Sequence, residues 1–106
     1  MAFIEVDESD FQQVIVEEFK KNNIVILIFG SEFCDACHAL ESELEDVEEE
    51  NENVTVLNIE CSESPDLAER YDVFQVPTMV IYKDGENMIY RGEGVVLSQD
   101  IEEIIS

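Results

Sequence analysis

Apolar residues along this chain switch repeatedly between strand-like runs and a three-and-four-residue recurrence, which predicts strands and helices in alternation. "FIEV" (3–6) is a short strand candidate. Ser9 and Gln12 then form an S-x-x-Q capping box that opens a helix running to about Lys21, and the lysines at its end suit the helix dipole. "NIVILIFG" (23–30) is a continuous β-branched run closed by glycine, the pattern of a strand buried on both faces. A helix over 34–50, a strand over "NVTVLNIE" (53–60) and a short helix in "SPDLAERYD", with Ser64 as cap and Pro65 in the first turn, follow. "TMVIYK" and "NMIYRG" flank "DGE" as a hairpin, and Ser98 caps a last helix ending in "IEEII".

The order β-α-β-α-β-α-β-β-α predicts an α/β sandwich around a mixed sheet. At 106 residues with 45% apolar side chains, one domain over 1–106 can bury its own core, and no repeat or linker divides it. Eleven Ile against four Ala imply a strongly apolar interior.

Charge narrows the partners. With 27 acidic residues against three Lys and two Arg, the formal charge is −22, which repels phosphate backbones and anionic lipid surfaces. Nucleic acid and membrane are therefore disfavoured, and proteins with basic faces remain. A solvated surface or salt tolerance accounts for most of these charges. The first ten residues show neither a basic stretch nor an apolar segment, and "IVILIF" is too short to cross a bilayer, so a soluble cytoplasmic protein is expected. Three irregularly spaced cysteines are too few for a secreted disulfide framework.

"CDACH" (34–38) carries the candidate chemistry and reads in more than one way: C-x-x-C is a redox dithiol, and C-x-x-C-H is a c-type haem attachment pattern. Helix phase separates the two cysteines. Cys37, Leu40, Leu44 and Val47 share the apolar stripe, so Cys37 should be buried. Cys34 falls at the helix entrance, where unpaired N–H groups and the dipole favour a thiolate. An accessible attacker and a shielded second sulfur are what thiol–disulfide exchange requires. Two core cysteines that merely fall three apart are the plainer alternative.

For haem, His38 falls beside Glu41, Ser42 and Glu45 on the charged side of the helix, and Met79 and Met88 lie in strands where apolar packing explains them. Haem attachment also normally requires export and a mainly helical shell. A c-type electron carrier is thus the weaker rival. Zinc lacks a second C-x-x-C or an H-x3-H, with Cys61 alone as a weak fourth ligand, so no metal is expected, and Cys61 reads as packing ahead of a regulatory thiol.

Taken together, "VILIFGSEFCDAC", "NIECSESPDLAERYDV" and "VPTMVIYKDGE" resemble the thioredoxin family over nearly the whole chain, and a C-x-x-C with V-P-T about forty residues later is a specific combination. The resemblance implies the thioredoxin fold, a three-layer α/β/α sandwich with a central mixed sheet. It implies Cys34 as nucleophile, Cys37 as resolving thiol and Pro77 as a cis-proline facing the pair. Phe33, Asp35, Ala36, Val76 and Thr78 would form the substrate rim, with Val76 holding a peptide like an added strand. The redox-active pair itself would serve in place of a cofactor. Protein disulfides would be the substrates, and a flavoprotein reductase of the thioredoxin type the electron source. The alternative is a redox-silent binding module on the same fold.

The departures are specific. Phe33 stands where the family usually has Trp, and Asp35-Ala36 where it has Gly-Pro. The family's buried acid falls on Ile28 and the facing lysine on Val56, a joint loss that leaves no lone buried charge.

Overall fold

The computed structural model describes residues 3–21 and 24–106. Its elements are β1 (Phe3–Glu5), α1 (Phe11–Lys20), β2 (Ile24–Gly30), α2 (Asp35–Glu50), β3 (Val54–Glu60), α3 (Pro65–Arg70), β4 (Thr78–Lys83), β5 (Asn87–Glu93) and α4 (Ser98–Ile105). This is the predicted order; Asn23, the expected first residue of the second strand, lies outside the described residues. The strands form one mixed sheet in the order β1-β3-β2-β4-β5. β3 runs parallel to β1 and β2, while β4 is antiparallel to β2 and β5. Among the described residues no helix is long and apolar enough to cross a membrane.

β2 is the middle strand and is buried along its whole length. Its side chains alternate between two cores, as the two-residue strand period demands. Ile24, Ile26 and Ile28 pack with Leu40, Leu44 and Val47 of α2 and with Ile101 and Ile105 of α4. Val25, Leu27 and Phe29 pack on the other side with Phe11 and Ile15 of α1 and Leu67 of α3. The result is the expected three-layer α/β/α arrangement. Burying both faces of the central strand leaves its C-terminal end, Gly30, pointed at the junction with α2.

Local chemistry at the helix starts differs from the sequence expectation. Ser9 does not cap α1: its hydroxyl donates to Asp7 Oδ1 at 2.5 Å, and Asp7 also accepts the Ser9 N–H at 2.8 Å. Asp10 Oδ1 returns a bond to the Asp7 N–H at 2.8 Å, so an Asp–Asp pair closes the turn before the helix. Ser64 precedes α3, but its side chain makes no cap bond. Glu8 supplies that function instead, its Oε1 accepting the Asp66 N–H at 2.7 Å. Ser98 is the first residue of α4 rather than its cap, and Glu43 of α2 accepts its N–H at 2.7 Å. Carboxylates are abundant here, and an anionic acceptor at a helix start gains from the dipole as well as from the bond.

The hairpin turn follows the sequence. Asp84 and Gly85 have φ of 56° and 87°, the left-handed pair that a two-stranded twist favours.

Candidate active site

The dithiol is built where the buried strand β2 ends and α2 begins. Cys34 is the N-cap of α2, with extended backbone angles, and its sulfur accepts the Cys37 N–H at 3.1 Å. The two cysteines are joined as a disulfide with Cα atoms 5.2 Å apart. Their environments are unequal, as helix phase predicts. Cys37 is 3% exposed and stands in line with Leu40, Leu44 and Val47, whereas Cys34 is half-buried and faces outward. An N-cap sulfur that accepts a backbone N–H at the positive end of a sixteen-residue helix is poised to carry negative charge when reduced.

The second wall comes from the loop before β4. The Val76–Pro77 bond is cis, and the Val76 carbonyl oxygen stands 4.0 Å from Cys34 Sγ. Gly94, in a left-handed turn with φ of 87°, donates its N–H to the Pro77 carbonyl at 2.9 Å, which draws the segment after β5 alongside the proline. Thr78 corrects the sequence reading. It is fully buried, and its hydroxyl donates to the Gln75 carbonyl at 2.7 Å, so its side chain braces the loop from inside instead of forming the rim.

Phe33 is 90% exposed, Val76 is 37% exposed, and Asp35 and Ala36 are also on the surface. Two further apolar residues belong with them that sequence reasoning did not single out: Phe74, 86% exposed and two residues before Val76, and Val95, next to Gly94. The signal for Phe74 was its place in the short segment between α3 and the proline, where a large apolar side chain has no helix or strand to hide it.

Ile28 and Val56 lie on the same side of the sheet in one apolar core, at 1% and 0% exposure, so no carboxyl replaces the family acid at that place. Beside them a cleft of 390 Å³ opens past Gly30 and Ser31, lined by Glu32, His38, Glu41 and Glu60 among others. His38 is exposed, as predicted. Its Nε2 is 2.9 Å from the Glu32 carbonyl oxygen and its Nδ1 is 3.5 Å from Glu41. The bond to the Glu32 carbonyl, then Glu41, raise its pKa.

The methionines nominated for haem do not converge with it. Met79 is sealed in the core, and Met88 is 49% exposed on the edge strand β5, which corrects the reading that apolar packing explains its presence. Cys61 is half-buried and packs against the α1/α3 core, and burial, then Glu60, pushes its thiol pKa up.

Comparison with known proteins agrees with this geometry. The thioredoxin family model matches residues 2–106. A thioredoxin from Chlamydia trachomatis is 32% identical over 85 residues, covering 80% of this chain and 82% of the relative. One from Staphylococcus epidermidis is 28% identical over 87 residues, covering 81% and 79%. Among solved structures, chloroplastic thioredoxin z superposes with a TM-score of 0.83 at 28% identity, covering 98% of this chain and 91% of that one. A mutant thioredoxin from Halobacterium salinarum superposes with a TM-score of 0.82 at 26% identity, covering 97% and 87%.

Proposed function

Because this chain belongs to the thioredoxin family of dithiol–disulfide oxidoreductases, we propose that it works as a reductant of protein disulfides, with Cys34 attacking and Cys37 resolving. The single observation that carries this reading is the asymmetry of the pair: a half-buried N-cap cysteine, and a partner that is almost wholly buried.

In the reduced protein the Cys34 thiolate attacks one sulfur of the substrate disulfide. A Cys34–substrate disulfide forms, the substrate bond breaks, and the departing thiolate takes a proton from solvent. Cys37 then loses its proton and attacks Cys34 Sγ, closing the enzyme disulfide and releasing the second substrate thiol. Two electrons have passed to the substrate. The reduced Cys34/Cys37 pair supplies them and is left as a disulfide, so the reaction calls on no resident cofactor. A reductase, proposed to be a flavoprotein of the thioredoxin type, returns them.

Docking on this reading is apolar at its centre. Phe33 and Ala36 adjoin Cys34 and Val76 stands opposite its sulfur, with exposed Phe74 and Val95 on the chain segments next to Val76 and Pro77, and an extended peptide beside Val76 would bond its backbone as a strand does. Asp35 and the surrounding carboxylates oppose the thiolate, which destabilises the reduced form and places the couple toward the reducing end. A cytoplasmic setting, where thiols are kept reduced, suits that direction.

The test is turnover of a protein disulfide with dithiothreitol as electron source. Wild type should turn over; Cys34→Ser should not. Wild-type activity no greater than that of Cys34→Ser would defeat the proposal.

A further inference from the structure

The backbone of Glu32, which leads into Phe33 and Cys34, is held on both sides of its Cα by side chains. Its N–H donates to Glu60 Oε1 at 2.8 Å, and its carbonyl accepts from His38 Nε2 at 2.9 Å. A carbonyl oxygen only accepts, so Nε2 must carry a hydrogen. Nδ1 then faces the Glu41 carboxylate at 3.5 Å. A neutral ring with its hydrogen on Nε2 turns a lone pair toward that carboxylate. A protonated ring donates to both partners.

The strapped segment is short and otherwise tight. Cys34 donates its N–H to the Ser31 carbonyl at 3.2 Å, and His38 donates its own N–H to the Cys34 carbonyl at 3.3 Å. The ring therefore joins the loop before Cys34 to the helix turn after it.

We propose that His38 is a positioning residue for the attack step: in its protonated form it straps the Glu32–Cys34 segment to α2 and supplies a positive charge one helical turn from the Cys34 sulfur. This rests on the reading of Cys34 as the attacker. His38 is the sole histidine of the chain. Glu41, Glu45 and Asp35 flank it on α2. Glu32 from the loop, Glu60 and Glu63 from the end of β3 and beyond, and Glu5 of β1 face the same cleft. All of these are acidic, and the bond to the Glu32 carbonyl, then Glu41 and Asp35, keep the ring protonated to higher pH. Without it, the segment before Cys34 would face carboxylates alone. The charge acts on Cys34 by linkage, so a Cys34 thiolate must in turn hold the His38 proton more tightly.

A single histidine makes this directly measurable. The His38 ring proton signal, followed by NMR against pH, should titrate about half a pH unit higher in the reduced wild type than in reduced Cys34→Ser, a roughly threefold coupling of the size found for charges near helix ends. His38→Gln retains a donor for the Glu32 carbonyl without the charge, and His38→Ala retains neither. The rate of Cys34 attack on a small aromatic disulfide at pH 6.5 should fall roughly threefold in His38→Gln and further in His38→Ala. Identical His38 titration in the two reduced proteins overturns the proposal, as does an attack profile in His38→Gln that superposes on wild type. The NMR shift supports the strap even if no protein disulfide is turned over, which separates its failure from that of the proposed function.

Discussion

The sulfur of Cys37 rests against Gly30: a Cβ built on that glycine would stand 3.3 Å from Sγ and 3.4 Å from the cysteine Cβ. The end of the central strand thus sets how far the second sulfur can retreat into the core. Gly30→Ala should displace Cys37 by a few tenths of an ångström and cost about 1 kcal/mol of stability, with Gly30→Val costing more. Resolution should slow more than attack, because only Cys37 is moved. Rapid-quench measurement of the mixed disulfide beside thermal melts checks both parts; a slowed attack with normal resolution would contradict the assignment.

Cys37→Ser should leave a protein that captures substrates as lasting mixed disulfides through Cys34, because attack still occurs and resolution does not. Cys34→Ser should capture little, since Cys37 is almost wholly shielded. Trapping from a mixture of oxidised proteins, read by non-reducing electrophoresis, distinguishes the two. The reverse ranking of the two variants would exchange the roles assigned to them.

Ile28 and Val56 occupy one core on one side of the sheet, with Ile26 as the direct partner of Val56 and Ile28 two residues further along. Ile28→Asp should destabilise the fold by about 3 kcal/mol or more, since it buries a carboxyl among apolar side chains. Adding Val56→Lys should recover part of that loss, about 1 kcal/mol or more of coupling, by pairing the charge. Chemical denaturation of the two singles and the double measures it. An Ile28→Asp variant as stable as wild type would mean the site is not the dry one described.

Asp7 gives a prediction with a definite pH window. The Ser9 hydroxyl, then the Ser9 and Asp10 backbone N–H groups, hold its carboxyl below the ordinary aspartate range. A depressed folded pKa means the contribution is present above the unfolded value and is lost as pH falls through the folded one. Asp7→Ala should therefore lower Tm at pH 7, and the gap to wild type should close in strongly acidic buffer. A gap that does not narrow on acidification would place the effect in something other than these hydrogen bonds.

Much of this site was legible because it depends on local periodicity. The recurrence of Cys37, Leu40, Leu44 and Val47 placed one sulfur inside and the other at the helix start, and the β-branched run of β2 marked a strand with two buried faces. What failed depends on residues distant in the chain. Ser9, Ser64 and Ser98 have the right chemistry for caps, yet carboxylates from Asp7, Glu8 and Glu43 bind the N–H groups at those turns or helix starts, two of them reaching across from other elements. Thr78 looked like a rim residue by its place beside the proline, but β4 pairs with β2 on one side and β5 on the other, and its side chain turns inward. Phe74 was overlooked because, outside any periodic segment, only the lack of a helix or strand to hide it hinted at its exposure.

Charge should govern how partners arrive. The net charge of −22 accompanies exposed apolar side chains at Phe33, Phe74, Val76 and Val95, so long-range attraction and short-range fit are carried by different residues. Basic reductases or disulfide substrates are steered toward the protein, and acidic ones are repelled before contact. Raising salt from low to physiological strength contracts the screening length to about 8 Å and should lower the second-order rate constant with the physiological partner. The rate at saturation should change far less, since sulfur exchange takes place after the rim is in contact and over bonding distances. Phe74→Ala should do the reverse, weakening saturation while leaving the salt slope intact, because it removes contact area and no charge. Stopped-flow rates across ionic strength, for wild type and Phe74→Ala with candidate reductases, test both halves. A best partner whose rate is flat or rises with salt would assign the acidic surface to solubility or salt tolerance, leaving recognition to the apolar rim alone.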